Sequence, residues 1–270
     1  MTIVSKATLK VTVLGCGSSG GVPRVGNDWG ACDPAEPRNR RRRCSILVER
    51  GETAVLIDTS PDLREQLLDA GTRRLDAVFY THDHADQSHG IDDLRALALT
   101  MRRRIDVYSD EATARTLMSR FGYCFEEIRG SGYPPILRLN EIGMEPLTVD
   151  GPGGAITLTP FEVEHGRIRA LGFRIGPVAY TPDVSDVPEA AFDVLEGVDT
   201  WIVDALRYTP HPTHAHLEKT LQWVARVNPT RAVLTNLHVD LDYHTLCRDL
   251  PAGVTPAFDG MVLTFDMPVS

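Results

Sequence analysis

Cysteine, basic charge and long hydrophobic runs are all in short supply in this chain of 270 residues. Its five cysteines include no Cys-x-x-Cys pair, which argues against a disulfide framework or a cysteine zinc knuckle, so we expect reduced, mostly buried thiols. The formal net charge of −9 opposes any general nucleic-acid-coating role. No stretch approaches the length of a membrane span, and residues 1–10 lack the apolar core of a signal peptide. We therefore expect a cytoplasmic protein with no membrane partner.

Short β-rich runs alternate with helical stretches, with no fixed-period repeat and no long linker. With 42% hydrophobic residues the chain can bury one substantial core, so we expect a single domain over residues 1–270. The predicted strands are Leu9–Gly15, Cys44–Glu49, Thr53–Asp58, Ala77–Thr81, Ile156–Pro160, Leu171–Ile175, Val178–Thr181, Trp201–Asp204, Ala232–Thr235 and Met261–Phe265. The predicted helices are Pro61–Ala70, Ile91–Met101, Glu111–Phe121, Leu217–Val227 and Tyr243–Asp249. Two sheets packed face to face with helices outside, a four-layer α/β arrangement, fit this order, and the Pro/Gly cluster at Asp150–Gly154 is predicted to be the turn between the halves.

The densest chemical signal is the run His-Asp-His-Ala-Asp-Gln-Ser-His at residues 82–89. His82, His84 and Asp86 recur every second residue directly after an apolar run that is typical of a buried strand, so their side chains can converge as the chain leaves a sheet edge. Three histidines and two aspartates within eight residues are hard to obtain by chance in a chain with only nine histidines. Imidazole with carboxylate suits zinc, manganese or iron, so the run predicts a metal site.

Three later residues also follow predicted strands. His165 precedes Gly166, Asp183 follows a Thr-Pro pair, and His238 follows the strand that begins at Ala232. Each alone is an ordinary turn or surface residue, but strand ends are where loops gather into a site. Together with the His-x-His-x-Asp cluster they form a candidate ligand set.

The chain resembles the metallo-β-lactamase superfamily over essentially its whole length. The resemblance rests on motifs in a characteristic order: Thr81–Asp86, His165, the Asp183 in Tyr180-Thr-Pro-Asp183, and the late strand that reaches His238. The segments 14–23, 213–217 and 258–261 are similar to its phosphodiesterase branch, in particular to the phosphoribosyl 1,2-cyclic phosphate phosphodiesterases. The tRNA 3′-processing endonucleases are more distant. The resemblance implies an αββα sandwich with a dinuclear metal site at one edge.

The resemblance also assigns roles. It implies that His82, His84 and His165 hold a first ion, that Asp183 bridges, and that Asp86 serves the second ion and catalysis. Two positions depart from the family pattern: Gln87 stands where a histidine usually follows the aspartate, and Asn236 stands where Thr-His is common. We therefore take His238 as the last ligand, and we expect two divalent ions, zinc and/or manganese, of which the second binds more loosely.

The same branch implies that His214 donates a proton to the leaving oxygen and that His214 and His216 contact the substrate. It also allows a homodimer. Relatives with a structural zinc hold it with a cysteine cluster after the first strand, where this chain offers only Cys32, so we expect no such zinc. His89 is predicted to pack or to support the site.

For two further motifs we favour a structural role over a role in ligand binding. The segment Ser18–Gly21 lacks the Gly-Lys-Ser/Thr ending of a nucleotide-binding loop, and we interpret it as a wall of the site. Five arginines lie within Arg38–Arg43. They could clamp a phosphate or follow a nucleic-acid backbone, but we favour a solvated loop that balances an acidic surface.

The charge of the expected site indicates its chemistry. Two divalent ions, two aspartates and a hydroxide leave the site net positive, which favours an anionic substrate. Paired ions lower the pKa of bound water to about 7 and suit in-line displacement at phosphorus. The leading prediction is a hydrolase that cleaves a small cyclic or nucleotide-like phosphodiester with a metal-bound hydroxide. The alternatives are a tRNA 3′-processing-type endonuclease, a thioesterase or lactamase of the same fold, and a non-catalytic binding module.

Overall fold

Two seven-stranded sheets form the centre of the fold. The computed structural model describes residues 7–127, 130 and 132–267. The strands are β1 Ala7–Gly15, β2 Ser45–Arg50, β3 Thr53–Ile57, β4 Ala77–Phe79, β5 Ile105–Ser109, β6 Leu137–Glu141, β7 Leu147–Val149, β8 Ile156–His165, β9 Ile168–Ile175, β10 Val178–Thr181, β11 Thr200–Asp204, β12 Arg231–Thr235, β13 Val254–Pro256 and β14 Val262–Met267. The helices are α1 Leu63–Asp69, α2 Ala85–Ser88, α3 Arg95–Met101, α4 Glu111–Phe125, α5 Glu189–Leu195, α6 Leu217–Val227 and α7 Tyr243–Asp249. Short 3₁₀ turns lie at Pro37–Asn39 and Ile91–Leu94.

The first sheet has the order β14-β1-β2-β3-β4-β5-β6 and the second the order β13-β12-β11-β10-β9-β8-β7. Strands β3 to β6 run parallel to one another, and so do β10 to β13. Each parallel stretch needs crossover connections, and helices supply most of them. The chain therefore alternates strand and helix wherever its strands are parallel.

Every central strand buries both of its faces. In β2, Ile46 and Val48 lie in the core between the two sheets, while Leu47 between them packs against α1, α3 and α4. In β11, Ile202 lies in the inter-sheet core and Trp201 faces α5, α6 and α7. A strand covered on both sides reads as a continuous apolar run, which is why these strands were visible in the sequence. The layers are helix, sheet, sheet and helix, and the expected αββα sandwich is confirmed.

Each predicted strand and helix is present, with shifted ends in most cases. Six elements were not predicted: β5, β6, β7, β13, α2 and α5. The prediction for Asp150–Gly154 was wrong in one respect, because this turn joins β7 to β8 within the second sheet. The chain crosses between the sheets earlier, after β6, and β14 returns to the first sheet beside β1.

Four of the five cysteines are buried, which confirms the expectation of mostly buried thiols, and Cys247 on α7 is exposed. Burial raises the pKa of the Cys16, Cys32, Cys44 and Cys124 thiols. Within residues 7–127, 130 and 132–267, no helix has the length and apolar character needed to cross a membrane.

The two sheets meet at one edge, where the functional candidates lie. The Leu171 N–H of β9 donates to the Thr81 carbonyl after β4 at 2.8 Å, which ties the sheets together there. The residues that follow β4, β10 and β12 reach the same edge. Carboxyl ends of parallel strands are the usual place for a site in α/β proteins.

Candidate functional site

Three imidazoles form the centre of the site. The ring centroids of His82, His84 and His165 lie 4.5 to 5.0 Å apart, and one ring nitrogen of each lies within 4.8 Å of the others. His82 and His165 are 2% exposed, whereas His84 is open to solvent. The structure thus brings together three of the predicted ligands from two different sheets.

Hydrogen bonds fix the tautomer of two of these rings. The Thr81 hydroxyl donates to Asp58 at 2.9 Å and can therefore accept from His82 Nδ1 at 3.0 Å. His165 Nδ1 donates to the Thr213 carbonyl at 2.7 Å. Both arrangements leave Nε2 unprotonated. His82 Nε2 is buried with no partner among the described residues, and His165 Nε2 lies 3.2 Å from His84 Nδ1. Metal-ligating histidines are held in this way.

The environment keeps the two buried rings neutral. Burial, with His165 and His84 close by, holds the pKa of His82 well below its usual range. Burial and the neighbouring His214 lower the pKa of His165 to about 3. A metal ion needs an unprotonated imidazole, so these two side chains fit a divalent ion at neutral pH without first releasing a proton.

Asp183 and His214 complete the cluster. Ligand atoms of His165, Asp183 and His214 lie within 4.8 Å of one another, and Asp183 is 2% exposed. His214 Nδ1 donates to Asp204 Oδ2 at 2.8 Å and lies 3.7 Å from Asp183 Oδ1. Burial lowers the pKa of His214, but Asp204 and the other nearby carboxylates outweigh it and raise the pKa to about 9. At neutral pH His214 is an imidazolium beside the neutral rings of His82 and His165.

Two amide side chains face the carboxylates. Gln87 Nε2 donates to Asp183 Oδ2 at 3.1 Å and to Asp86 Oδ2 at 3.4 Å. Asn236 Nδ2 donates to Asp183 Oδ1 at 3.4 Å. Asp86 itself is half-buried and lies outside both ligand groups of the described residues. The described residues thus form two candidate ligand groups that share His165.

His238 lies outside both ligand groups of the described residues, so its role as the last ligand stays a prediction. Its Nε2 contacts the Arg24 guanidinium, and its Nδ1 lies 3.1 Å from Asp240. The chain leaves β12 through Asn236, whose φ of 60° breaks the strand alternation, and the His238 N–H then bonds to the Leu206 carbonyl. The imidazole nearest Asp183 is His214.

The remaining histidine candidates occupy separate places. His216 is the N-cap residue of α6 and lies outside both ligand groups, so its role in substrate binding stays a prediction. His89 is exposed and packs edge-on against Phe121 at 5.5 Å, in line with the packing role expected of it.

Two carboxylates that the sequence analysis did not single out position the cluster. Asp58 accepts from the backbone N–H and the hydroxyl of Thr81, at 2.8 and 2.9 Å, and so holds the loop that carries His82. Asp204 orients His214. Both carboxylates lie at the carboxyl end of a strand, which is the signal that identified Asp183.

A groove with a volume of about 750 Å³ opens beside His82 between α4 and the β8–β9 hairpin. Arg115, Arg120 and Arg169 line it. Arg115 and Arg169 each pair with a glutamate, while Arg120 Nη1 donates to the Asp83 carbonyl at 2.7 Å. Asp83, Asp110 and Glu162 line the same groove, so its charges are mixed.

The arginines of residues 38–43 form ion pairs, hydrogen bonds or ring contacts with the rest of the protein, which contradicts the expected solvated loop. Arg41 is 2% exposed and donates to the Leu241 carbonyl at 2.7 Å. The other pairs are Arg38 with Glu36 (2.6 Å), Arg42 with Asp259 and Asp69 (3.1 and 2.8 Å), Arg43 with Asp62 (3.0 Å), and Arg40 over the Trp29 ring (5.3 Å). The run anchors its loop to the body of the protein.

The other two motifs line the same region. The Gly21 N–H bonds to the Ser18 carbonyl at 2.7 Å, and the Ser18 N–H reaches the Leu237 carbonyl at 3.4 Å, so this segment closes a turn beside the β12 exit. Cys32 Sγ donates to the Val239 carbonyl at 3.3 Å in a small apolar cluster with Val22 and Trp29. Among the described residues, neither candidate ligand group includes a cysteine.

Known proteins resemble this chain in sequence and structure. A family model described as a beta-lactamase superfamily domain matches residues 53–236. Among solved structures, the chain is similar to a diphosphatase of the PhnP family, with 35% identity over 97% of this chain and 99% of that chain and a TM-score of 0.89.

Two curated proteins are also similar. An octanoyltransferase of Porphyromonas gingivalis is 32% identical over 96% of this chain and 52% of its own length. A ribonuclease Z of Bradyrhizobium sp. is 33% identical over 51% of this chain and 45% of its own length. The chain thus spans about half the length of the curated relatives it matches.

Proposed function

The chain belongs to the metallo-β-lactamase superfamily, in its phosphodiesterase branch, and we propose that it is a metal-dependent phosphodiesterase for a small cyclic or nucleotide-like substrate. One observation carries the proposal: ligand atoms of His82, His84 and His165 lie within 4.8 Å of one another, and those of Asp183 and His214 lie as close to His165. A ligand set for a cation next to a proton donor suits hydrolysis of an ester with a poor leaving group.

The donors fit zinc through their imidazoles and manganese through their carboxylates. When bound, a divalent ion would act as a Lewis acid and, by lowering the pKa of bound water to about 7, would make hydroxide available near neutral pH. The protein's own residues do the rest. Thr81 and Thr213 hold the rings of His82 and His165 in the orientation that a ligand needs.

His214 supplies the proton for the leaving oxygen. Its charge at neutral pH comes from Asp204, which is fully buried and accepts from Nδ1, so that Nε2–H remains to donate. Arg120, which lines the groove beside His82 and donates to a backbone carbonyl rather than to a carboxylate, would contact the rest of an anionic substrate. Asp86 would act with Asp183 at the carboxylate side of the site.

The test compares two substrates that differ in their leaving groups. Bis(p-nitrophenyl) phosphate releases a stable phenolate, whereas a 2′,3′-cyclic nucleotide releases an alkoxide that must be protonated. His214→Gln should lower kcat for the cyclic nucleotide by about 10²–10⁴-fold and should affect the nitrophenyl ester much less. The matched control is His244→Gln, because His244 is 63% exposed on α7. A complete lack of chelator-sensitive turnover on either ester, or an equal loss on both in His214→Gln, would contradict the proposal.

Acyl chemistry is the second candidate, favoured by the name of the octanoyltransferase relative. About half of that protein lies outside the match, so this candidate takes the second place. The same assay with an octanoyl thioester separates the two. Thioester turnover above phosphodiester turnover would favour the second candidate, and cleavage of a tRNA precursor would favour the endonuclease alternative.

The partner predictions from the sequence stand as proposals. We propose a cytoplasmic enzyme that forms a homodimer and that has neither a membrane partner nor a general affinity for nucleic acid. Light scattering on the purified protein checks the homodimer, since a monomer mass of 29.8 kDa would contradict it.

A further inference from the structure

The carboxylate side of the site is closed by amides where a second metal ion would need ligands. Both oxygens of Asp183 are engaged: Oδ2 accepts from Gln87 Nε2 at 3.1 Å and Oδ1 from Asn236 Nδ2 at 3.4 Å. A carboxylate that bridges two ions has to offer one oxygen to each. Here neutral N–H donors take both places.

We infer that this chain holds a single divalent ion, at His82, His84 and His165, and that the amides of Gln87 and Asn236 replace the second ion. The inference deepens the proposed function, because it rests on the protein being metal-dependent. It departs from the dinuclear site expected from the sequence.

The position of Gln87 fixes the direction of its amide. Its nitrogen lies between two carboxylates, 3.1 Å from Asp183 and 3.4 Å from Asp86. Rotating the amide by 180° would place its carbonyl oxygen against both negative charges, which is unfavourable in a buried site. Gln87 is 1% exposed, so water offers no alternative partner for the nitrogen. The amide links the carboxylates as a cation would.

The imidazole that should complete a second site is elsewhere. His238 Nε2 contacts the guanidinium of Arg24, so this ring already faces a cation. Without His238 the second position keeps only Asp86 and Asp183 as strong donors. Neutral amide oxygens add little to them, and a divalent ion with two carboxylates and no imidazole would have to retain most of its water.

His214 does not rescue a second site. The group His165, Asp183 and His214 shares His165 with the three-imidazole group. Because His165 Nδ1 is committed to the Thr213 carbonyl, only its Nε2 can bind metal, and one nitrogen serves one ion. His214 Nδ1 is likewise committed to Asp204.

With a single ion, protonation of the leaving oxygen by His214 becomes more important. In a dinuclear site a second cation can neutralise the leaving oxygen, whereas here that charge has to be met by the His214 proton. The loss of activity in His214→Gln on an alkoxide leaving group should therefore be near the upper end of its range.

Metal stoichiometry tests the inference without relying on activity. The wild-type chain is stripped with chelator, incubated with excess zinc or manganese, desalted and analysed by elemental mass spectrometry, and titration calorimetry gives the number of tight sites. We expect one equivalent per chain and, for the manganese form, an electron paramagnetic resonance spectrum without exchange coupling between ions. Two tight equivalents or a coupled spectrum would overturn the inference.

Variants test whether the amides are the cause. Gln87→His with Asn236→His restores imidazoles next to both carboxylates and should raise the content to two equivalents. Gln222→His, on the exposed face of α6, is the matched control and should stay at one. A double variant that folds, as judged by circular dichroism, and still binds one equivalent would refute the role of the amides.

Hydrolysis measured on the same samples separates the two proposals. One equivalent of metal with no phosphodiester turnover would refute the proposed function and keep the single-ion site. Two equivalents of metal with phosphodiester turnover would refute the single-ion site and support the proposed function.

Discussion

Mild acidification should weaken the contribution that His165 makes to the stability of the metal-free protein, because this ring is buried in its neutral form. The pKa of this imidazole falls from 6.5 in the unfolded chain to about 3 in the fold, through burial and the nearby His214. A base whose pKa is lowered by folding binds more protons when unfolded. Stability is therefore complete above about pH 6.5 and declines as the pH falls towards 3.

The magnitude follows from the two pKa values. At pH 5 an ordinary imidazole is almost fully protonated in the unfolded chain, while His165 in the fold is not. Proton linkage then gives a loss of about 2 kcal/mol between pH 7 and pH 5 from this residue alone. His82, whose pKa burial also lowers, adds to the loss in the same direction.

Urea unfolding in the presence of chelator, at pH 7 and at pH 5, measures the effect. His165→Gln cannot take up a proton in this range, and its amide can still donate to the Thr213 carbonyl. The free energy of unfolding at pH 5, relative to its value at pH 7, should be about 2 kcal/mol higher in this variant than in the wild type. An unchanged difference would show that His165 is not the proton-excluding group, and the reasoning about neutral ligands would fail with it.

Three substitutions and one control test structural contacts of the fold by urea unfolding at pH 7. Asp242→Ala removes the N-cap of α7 and should cost about 1–2 kcal/mol, while Asp249→Ala at the exposed end of the same helix should change stability by less than about 0.5 kcal/mol. Arg41→Met leaves buried carbonyls without a donor and should cost about 2–3 kcal/mol, so a stability within about 0.5 kcal/mol of wild type would refute a structural role for this arginine. Gly90→Ala would place its Cβ 2.0 Å from the Ser60 carbonyl oxygen and should cost about 3 kcal/mol or more, and a fully stable variant would show that this backbone contact is not as close as described.

The layers of the fold could be predicted because most strands bury both faces. Apolar runs such as the one in β3 stand out at any register. The elements that escaped prediction carry a weaker pattern. β6 lies at a sheet edge with exposed Arg138 and Glu141, and β13 is three residues long. Their pairing depends on neighbouring strands that the local sequence does not reveal.

Some features of the site could also be predicted from the sequence, and others could not. The convergence of His82 and His84 could be predicted, since a two-residue spacing directly after a buried strand puts both on one side. The place of His238 could not, because the left-handed φ of Asn236 intervenes and only the backbone shows it. The sequence also could not show which carboxylate would hold His214, because Asp204 and His214 are ten residues apart and meet through tertiary contact.

Because four of the five cysteines are buried, thiol labelling can report the unfolding of this protein. Only Cys247 is open to a maleimide in the folded chain, while the other four thiols are shielded and kept in their unreactive protonated form. A brief pulse of reagent would thus label native molecules once and unfolded molecules five times. Mass spectrometry would then distinguish the two populations without an engineered cysteine. In the folded protein, a fluorescent maleimide would attach to Cys247 on α7 alone.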